Sequence, residues 1–206
     1  WSRGLGDVYK RQVMSCNSGP NNSTNGLVFE FDMNNTKKSW KGAPTTNLYA
    51  AANLSAWNMS GGITSVVGGY YCSFDNTNNA YIVTANGTTN SYISSGGGIT
   101  SGITYTRSVY AKAGSTGTLV FEIYDNNGSG GVAYFATTFD LSTGTVSSSA
   151  TGNTASIIAM GDGWYRCIVT RAITLTFSSS GSIYVGAYGS GTGTVQLAYP
   201  QFEAAS

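Results

Sequence analysis

Short stretches in which apolar and polar residues alternate recur along this chain, and no stretch keeps a helical period over three turns. Leu27-Val-Phe-Glu-Phe-Asp32 is the first such stretch. Further strands are predicted near 63–67, 69–74, 80–84, 90–94, 103–112, 118–125, 131–141, 154–159, 163–173, 182–188 and 193–203. Gly-Ser-Gly-Gly, Ser-Thr-Gly and Gly-Asp-Gly punctuate them, residues that supply tight turns. Many short strands at this spacing predict an all-β chain, a jelly-roll-like sandwich of two antiparallel sheets with an extended N-terminal segment.

Successive side chains of a strand face opposite ways, so parity sorts core from surface. Leu119, Phe121 and Ile123 fall on one face of their strand, and Phe135, Phe139 and Leu141 on one face of the next. Val109 and Ala111, and Tyr165, Cys167 and Val169, complete the expected core. Arg107 shares the core parity and breaks the pattern. The opposite parity holds Tyr110, Lys112, Glu122, Tyr124, Tyr134, Trp164 and Arg166. This set mixes flat aromatic faces, which stack on the C–H-rich faces of pyranoses, with side chains that bond hydroxyl groups. It is the candidate ligand-binding set, and the tyrosines are expected on adjacent strands of one sheet. The competing reading is ordinary cross-strand pairing on a solvated or subunit-facing sheet, and for Trp164 a packing anchor. Trp57 and Trp40 read as plugs at the end of the sandwich.

Composition sharpens this. Charged residues make up 9% of the 206 residues, against about 25% in an average protein. Aromatics make up 13%, more than a disordered chain carries. The net charge is +1, and Arg3, Asp7, Lys10 and Arg11 leave the remainder close to neutral. Lys37, Lys38 and Lys41 are too few to track a run of phosphates, so nucleic acid is not an expected partner. No apolar run reaches the roughly 20 residues of a membrane helix, so membrane insertion is not expected.

Histidine is absent, which removes the His-based triads and His-ligated zinc. Cys16, Cys72 and Cys167 form no CxxC pair and read as buried thiols rather than a zinc site or disulfide. Glycoside hydrolysis needs a carboxylate pair, and no recognisable acidic motif surrounds Glu30, Asp32, Asp75, Glu122, Asp125, Asp140, Asp162 or Glu203. The chain is therefore read as non-catalytic, with no cofactor required.

The segment Ser2–Gln12 resembles a translated sequencing-library adaptor, so it is expected to lie outside the fold of a fragment from an uncultured source. Residues 1–26 are read as a disordered or artefactual lead-in, 27–46 as an N-terminal strand with a polar connection, and 47–206 as the sandwich.

Several stretches carry a family resemblance. Asn47-Leu48 leads to Ser55-Ala-Trp57. They are followed by Tyr105-Thr-Arg-Ser-Val-Tyr-Ala-Lys-Ala-Gly114, Thr138-Phe-Asp-Leu-Ser-Thr-Gly144, Gly161-Asp-Gly-Trp-Tyr-Arg166 and Leu197-Ala-Tyr-Pro-Gln-Phe-Glu203. In this order they resemble the jelly-roll carbohydrate-binding modules fused to glycoside hydrolases, and more closely the related modules of tailed-phage tail fibres. The resemblance implies glycan binding without catalysis and attachment to a cell-surface or environmental polysaccharide. It also implies a virion or extracellular location, with other virion subunits or a homotrimer as partners. It further implies a structural calcium ion between first and last strands, for which Asp32, Asp75 and Glu203 are candidates by position. Two alternatives stay open: a ligand-free virion spacer, and an accessory fragment of a carbohydrate-active enzyme.

Overall fold

The structure is a computed structural model, describing residues 47–49, 53–87, 91–96, 99–126, 132–174, 178–188 and 191–204, without the side chains of 124–126, 132, 133 and 178–181. The readings made for 1–46, including Cys16, Asp32, Trp40 and the strand at Leu27, lie outside these residues.

Among the described residues, alternation and turn chemistry give twelve strands and one short 3-10 turn, Leu54–Ala56. The strands are β1 (Asn58–Ser60), β2 (Ile63–Cys72), β3 (Thr77–Asn86), β4 (Tyr92–Gly96), β5 (Thr104–Ala113) and β6 (Thr118–Asn126). They continue with β7 (Val132–Asp140), β8 (Thr145–Ser149), β9 (Asn153–Gly161), β10 (Trp164–Ala172), β11 (Ser178–Val185) and β12 (Thr192–Ala204). They form two six-stranded sheets, in the orders β1-β4-β11-β6-β7-β8 (sheet A) and β2-β3-β12-β5-β10-β9 (sheet B). Every pairing is antiparallel. The chain is the all-β sandwich its alternation predicts, and the described residues contain no α-helix.

Two hairpins show how local sequence fixes the register. Asp162 (φ 50°) and Gly163 (φ 76°) both take the left-handed conformation between β9 and β10, which a two-residue type I′ turn demands. Between β7 and β8, Asp140 accepts bonds from the backbone N–H groups of Ser142 and Thr143, at 2.8 and 3.3 Å. Those bonds hold its carboxyl below the usual carboxylate range, the Ser142 N–H first. Gly144 closes this turn at φ 69°, where a Cβ would strike the Tyr165 ring at 2.6 Å.

The core lies between the sheets. Phe121, Ile123, Phe139, Leu141, Cys167 and Val169 are buried there, with Val109, Ala111, Val195 and Leu197. Tyr165 is half-buried and packs against them. Cys72 and Cys167 are buried free thiols in separate clusters, and burial pushes the Cys167 thiol well up. Trp57 is buried against Tyr49, ring centroids 4.6 Å apart, closing the core as read from its sequence. Asn47 ties this opening segment to β12 by donating to the Pro200 carbonyl and accepting from Phe202 N–H, both at 3.0 Å.

Candidate functional site

The seven candidate residues do not share one sheet. Tyr110 and Lys112 lie on β5 beside Trp164 and Arg166 on β10, all in sheet B. Glu122 and Tyr124 lie on β6 beside Tyr134 on β7, in sheet A. Parity places Tyr110, Lys112, Trp164 and Arg166 on the outer face of sheet B and Glu122 and Tyr134 on the outer face of sheet A, so the expectation of one continuous site is corrected to two faces on opposite sides of the sandwich.

The sheet B group is mainly packing. The turn between β2 and β3 folds Phe74 over the sheet, where it stacks on Tyr110 (centroids 4.6 Å, interplanar 13°) and meets Trp164 edge-on at 5.3 Å. Trp164 is 1% exposed and belongs to a small cluster with Cys72, Ala80 and Ala198. Its ring faces are thus not free for a ligand, and it is a packing anchor. Arg166 donates to Gln201 at 3.2 Å and Ser108 at 3.3 Å, with its guanidinium carbon 5.8 Å from the Tyr110 ring centre. Lys112 stands opposite Trp164 in register, half-buried.

Sheet A differs. Glu122 faces outward yet is 3% exposed. Its register partners are Ala136 on β7 and Ser182 on β11. Tyr184, two residues along β11, donates to both carboxylate oxygens at 3.2 and 3.3 Å. Tyr188, in the turn after β11, donates to Oε2. Tyr92, Tyr184 and Tyr188 form a run of tilted rings with centroids 4.9 and 4.8 Å apart. Burial first, then the Glu122 charge, pushes the Tyr184 phenol far up. Burial and the bond to Glu122 push Tyr188 up to about 12. Both therefore stay protonated donors at neutral pH. Tyr184 is buried, whereas Tyr188 (48% exposed) and Tyr134 (58%) offer ring surface to solvent. Tyr124 pairs with Tyr134 across the strands.

The face thus has a carboxyl group that accepts hydrogen bonds at its floor, with tyrosine rings about it. Sequence reasoning found Glu122 and Tyr134 and missed Tyr184, Tyr188, Tyr92 and Ser182. Tyr184 was readable from parity, because Ile183 and Val185 on either side are core. Tyr188 shares that parity within the predicted strand 182–188, but β11 ends at Val185 and Tyr188 lies in the turn after it, so the expected extent of that strand is corrected.

Of the three metal candidates, Asp32 lies outside the described residues. Asp75 is exposed, and its carboxylate accepts from Thr77 N–H and Oγ and from the Tyr199 hydroxyl. Glu203 is half-buried opposite Thr106. Among the described residues no group of three acidic, histidine or cysteine side chains is placed to hold a metal ion. No described helix is long and apolar enough to cross a membrane.

No protein-family model matches the chain, and no curated protein matches it. Solved structures do. The chain aligns with the CBM22-1–GH10 modules of Clostridium thermocellum xylanase 10B at TM-score 0.52 and 15% identity, covering 79% of this chain and 28% of that one. It aligns with the CBM22-1 xylan-binding domain of Paenibacillus barcinonensis Xyn10C at TM-score 0.52 and 12% identity, covering 77% of this chain and 91% of that one. The fold is that of these binding modules. The jelly roll implied by the motif resemblance is therefore present. A bacteriophage CBA120 tailspike aligns at TM-score 0.47, too loose a fit to bear on the setting of the chain.

Proposed function

We propose that this chain is a non-catalytic carbohydrate-binding module that holds a glycan segment against the outer face of sheet A. The observation carrying the proposal is the buried Glu122 carboxylate, held by two tyrosine hydroxyls and bordered by the exposed rings of Tyr134 and Tyr188. Exposed rings supply apolar surface for pyranose faces, and the buried carboxyl group fixes the Tyr184 and Tyr188 hydroxyls and the rings that carry them. The fold shared with a xylan-binding domain supports the reading.

Binding is expected in the micromolar-to-millimolar range, about 4–8 kcal/mol in total, because a solvated sugar gives up water hydrogen bonds on entry. Affinity electrophoresis in gels of soluble neutral polysaccharides, xylan included, tests this. Retardation by at least one polymer, abolished in Glu122→Ala and kept in Lys112→Ala, is the expected result. Equal migration in every gel would remove the function. The same polymers should release no reducing ends on incubation, since hydrolysis takes a pair of carboxylates at a set separation.

For the parent protein we infer an extracellular or virion-borne adhesion role, such as host attachment by a phage tail fibre. The ordered motifs from Asn47 to Glu203 support this setting. The genes flanking the full-length reading frame test it: tail and capsid genes support it, and a catalytic domain in the same frame replaces it with an enzyme accessory.

A further inference from the structure

Arg107 is the residue that neither the core pattern nor the binding face absorbs. It stands on β5 in sheet B with its side chain directed into the core, 2% exposed. Arginine does not shed its proton in a protein, so a cation lies between the sheets. Its Nε donates to the Tyr49 hydroxyl at 2.7 Å, and Nη2 donates to the same oxygen. Three aromatic rings surround it, with the guanidinium carbon 5.3 Å from the Tyr49 centre, 5.8 Å from Phe121 and 5.6 Å from Phe202. The remaining contact crosses the sandwich: Nη1 donates to the backbone carbonyl of Glu122 at 2.7 Å.

That contact joins the core to the candidate site. Glu122 sits mid-strand in β6, its carboxylate on the outer side of sheet A and its carbonyl reached by Arg107 from within. A carbonyl oxygen has two lone pairs, so it can serve both the sheet ladder and the guanidinium. The Arg107 cation and the Glu122 carboxyl group thus lie buried on the two sides of β6. Where a backbone is fixed from behind, the side chain in front has less freedom, and a carboxylate meant to select hydroxyl geometry depends on that fixity. A core needing only volume would hold an apolar side chain at 107, which avoids the cost of desolvating a cation.

We propose that Arg107 is a positioning residue for the binding face: it holds the β6 backbone at Glu122 from inside the core and thereby sets the carboxylate against Tyr184, Tyr188 and the bound glycan. This rests on the proposed function for the glycan, but its first consequence is visible without one. Lysine carries a single ammonium and cannot serve Tyr49 and the Glu122 carbonyl with one planar fork.

The test uses Arg107→Lys, Tyr49→Phe and, as a core control that does not touch Glu122, Val109→Ala. In tyrosine Cζ-labelled NMR without ligand, Arg107→Lys should move the Tyr184 and Tyr188 signals while Val109→Ala leaves them in place. Tyr49→Phe, which frees one side of the guanidinium, should move them less and in the same direction. With the best-retained glycan, Arg107→Lys should weaken binding tenfold or more, and Val109→Ala less than twofold. In a Glu122→Gln background, Arg107→Lys should add less than twofold. If Arg107→Lys does not fold, Tyr49→Phe is read by the same two measurements, with an expected two- to fivefold loss. Unmoved tyrosine signals, or an affinity loss that persists undiminished in the Glu122→Gln background, overturns the proposal. A wild type that binds no glycan removes the proposed function, and the tyrosine signals still decide the role of Arg107.

Discussion

The two outer faces of this sandwich are built from similar residues and arranged differently. On sheet B, Tyr110, Trp164, Phe74 and Tyr199 gather at the turn between β2 and β3, where Phe74 stacks on Tyr110 and the other ring contacts are edge-on. On sheet A, Tyr92, Tyr184 and Tyr188 lean on one another around a carboxylate, and Tyr134 and Tyr188 keep surface open to solvent. Aromatic content therefore does not mark a binding face. What sheet A holds, and the sheet B cluster lacks, is a buried carboxyl group whose partners are tyrosine hydroxyls, beside rings that keep some surface open to solvent.

The sharpest break between the faces is expected on sheet B. Trp164→Ala should cost about 3–5 kcal/mol of stability, the range for truncating a fully buried aromatic, seen as a large fall in Tm or in the urea midpoint. A near-neutral result would mean that Trp164 is not packed as described and would return it to the binding candidates. On sheet A the loss should appear in affinity instead. Glu122→Gln should weaken glycan binding by about 1.5–3 kcal/mol, the scale for hydrogen bonds to a charged group, measured by titration calorimetry. Its Tm should move little, since the amide oxygen still accepts from Tyr184.

Tyr188→Ala should cost about 1–2 kcal/mol of binding, and Tyr134→Ala about 1 kcal/mol, on the scale for aromatic contacts. Tyr110→Ala, by contrast, should leave affinity unchanged while lowering Tm. Losses of affinity at Tyr110 and not at Tyr188 would invert the assignment of the faces.

A smaller effect concerns alkaline pH. The folded Tyr188 phenol is raised to about 12 from an ordinary value of 10. A raised value means the folded state holds the proton more tightly. The contribution is complete below about pH 10 and is lost as pH rises through 12. Tyrosinate absorbance near 295 nm should show this phenol ionising late in the wild type and nearer 10 in Glu122→Gln. An unchanged titration in the variant would separate Tyr188 from Glu122.

Much of the fold was readable. Alternation alone placed Phe121, Ile123, Phe139 and Val169 in the core, and Asp162-Gly163 marked its hairpin. The sheet each strand joins was not readable. β5 and β6 are consecutive in the chain yet belong to different sheets, because the connection crosses the sandwich. Core parity looks the same in both sheets, whereas their outer faces point in opposite directions. One parity class therefore merged Tyr110 with Tyr134. Arg107 was legible only as a break in the pattern, since its partners Tyr49 and the Glu122 carbonyl come from other elements. Tyr188 fell inside the predicted strand 182–188, but β11 ends at Val185, and a side chain on the turn after it takes its direction from the local backbone rather than from alternation.

The central claim is that the glycan face is sheet A. Amide and tyrosine NMR signals followed while a soluble neutral hexasaccharide such as xylohexaose, or the best-retained polymer's own oligomer, is added test it most directly. Shifts concentrated at Glu122, Tyr134, Ser182, Tyr184 and Tyr188, with Tyr110, Lys112 and Arg166 unmoved, are the predicted result. Shifts centred on Tyr110, Lys112 and Arg166 with Glu122 and Tyr188 unmoved would contradict it.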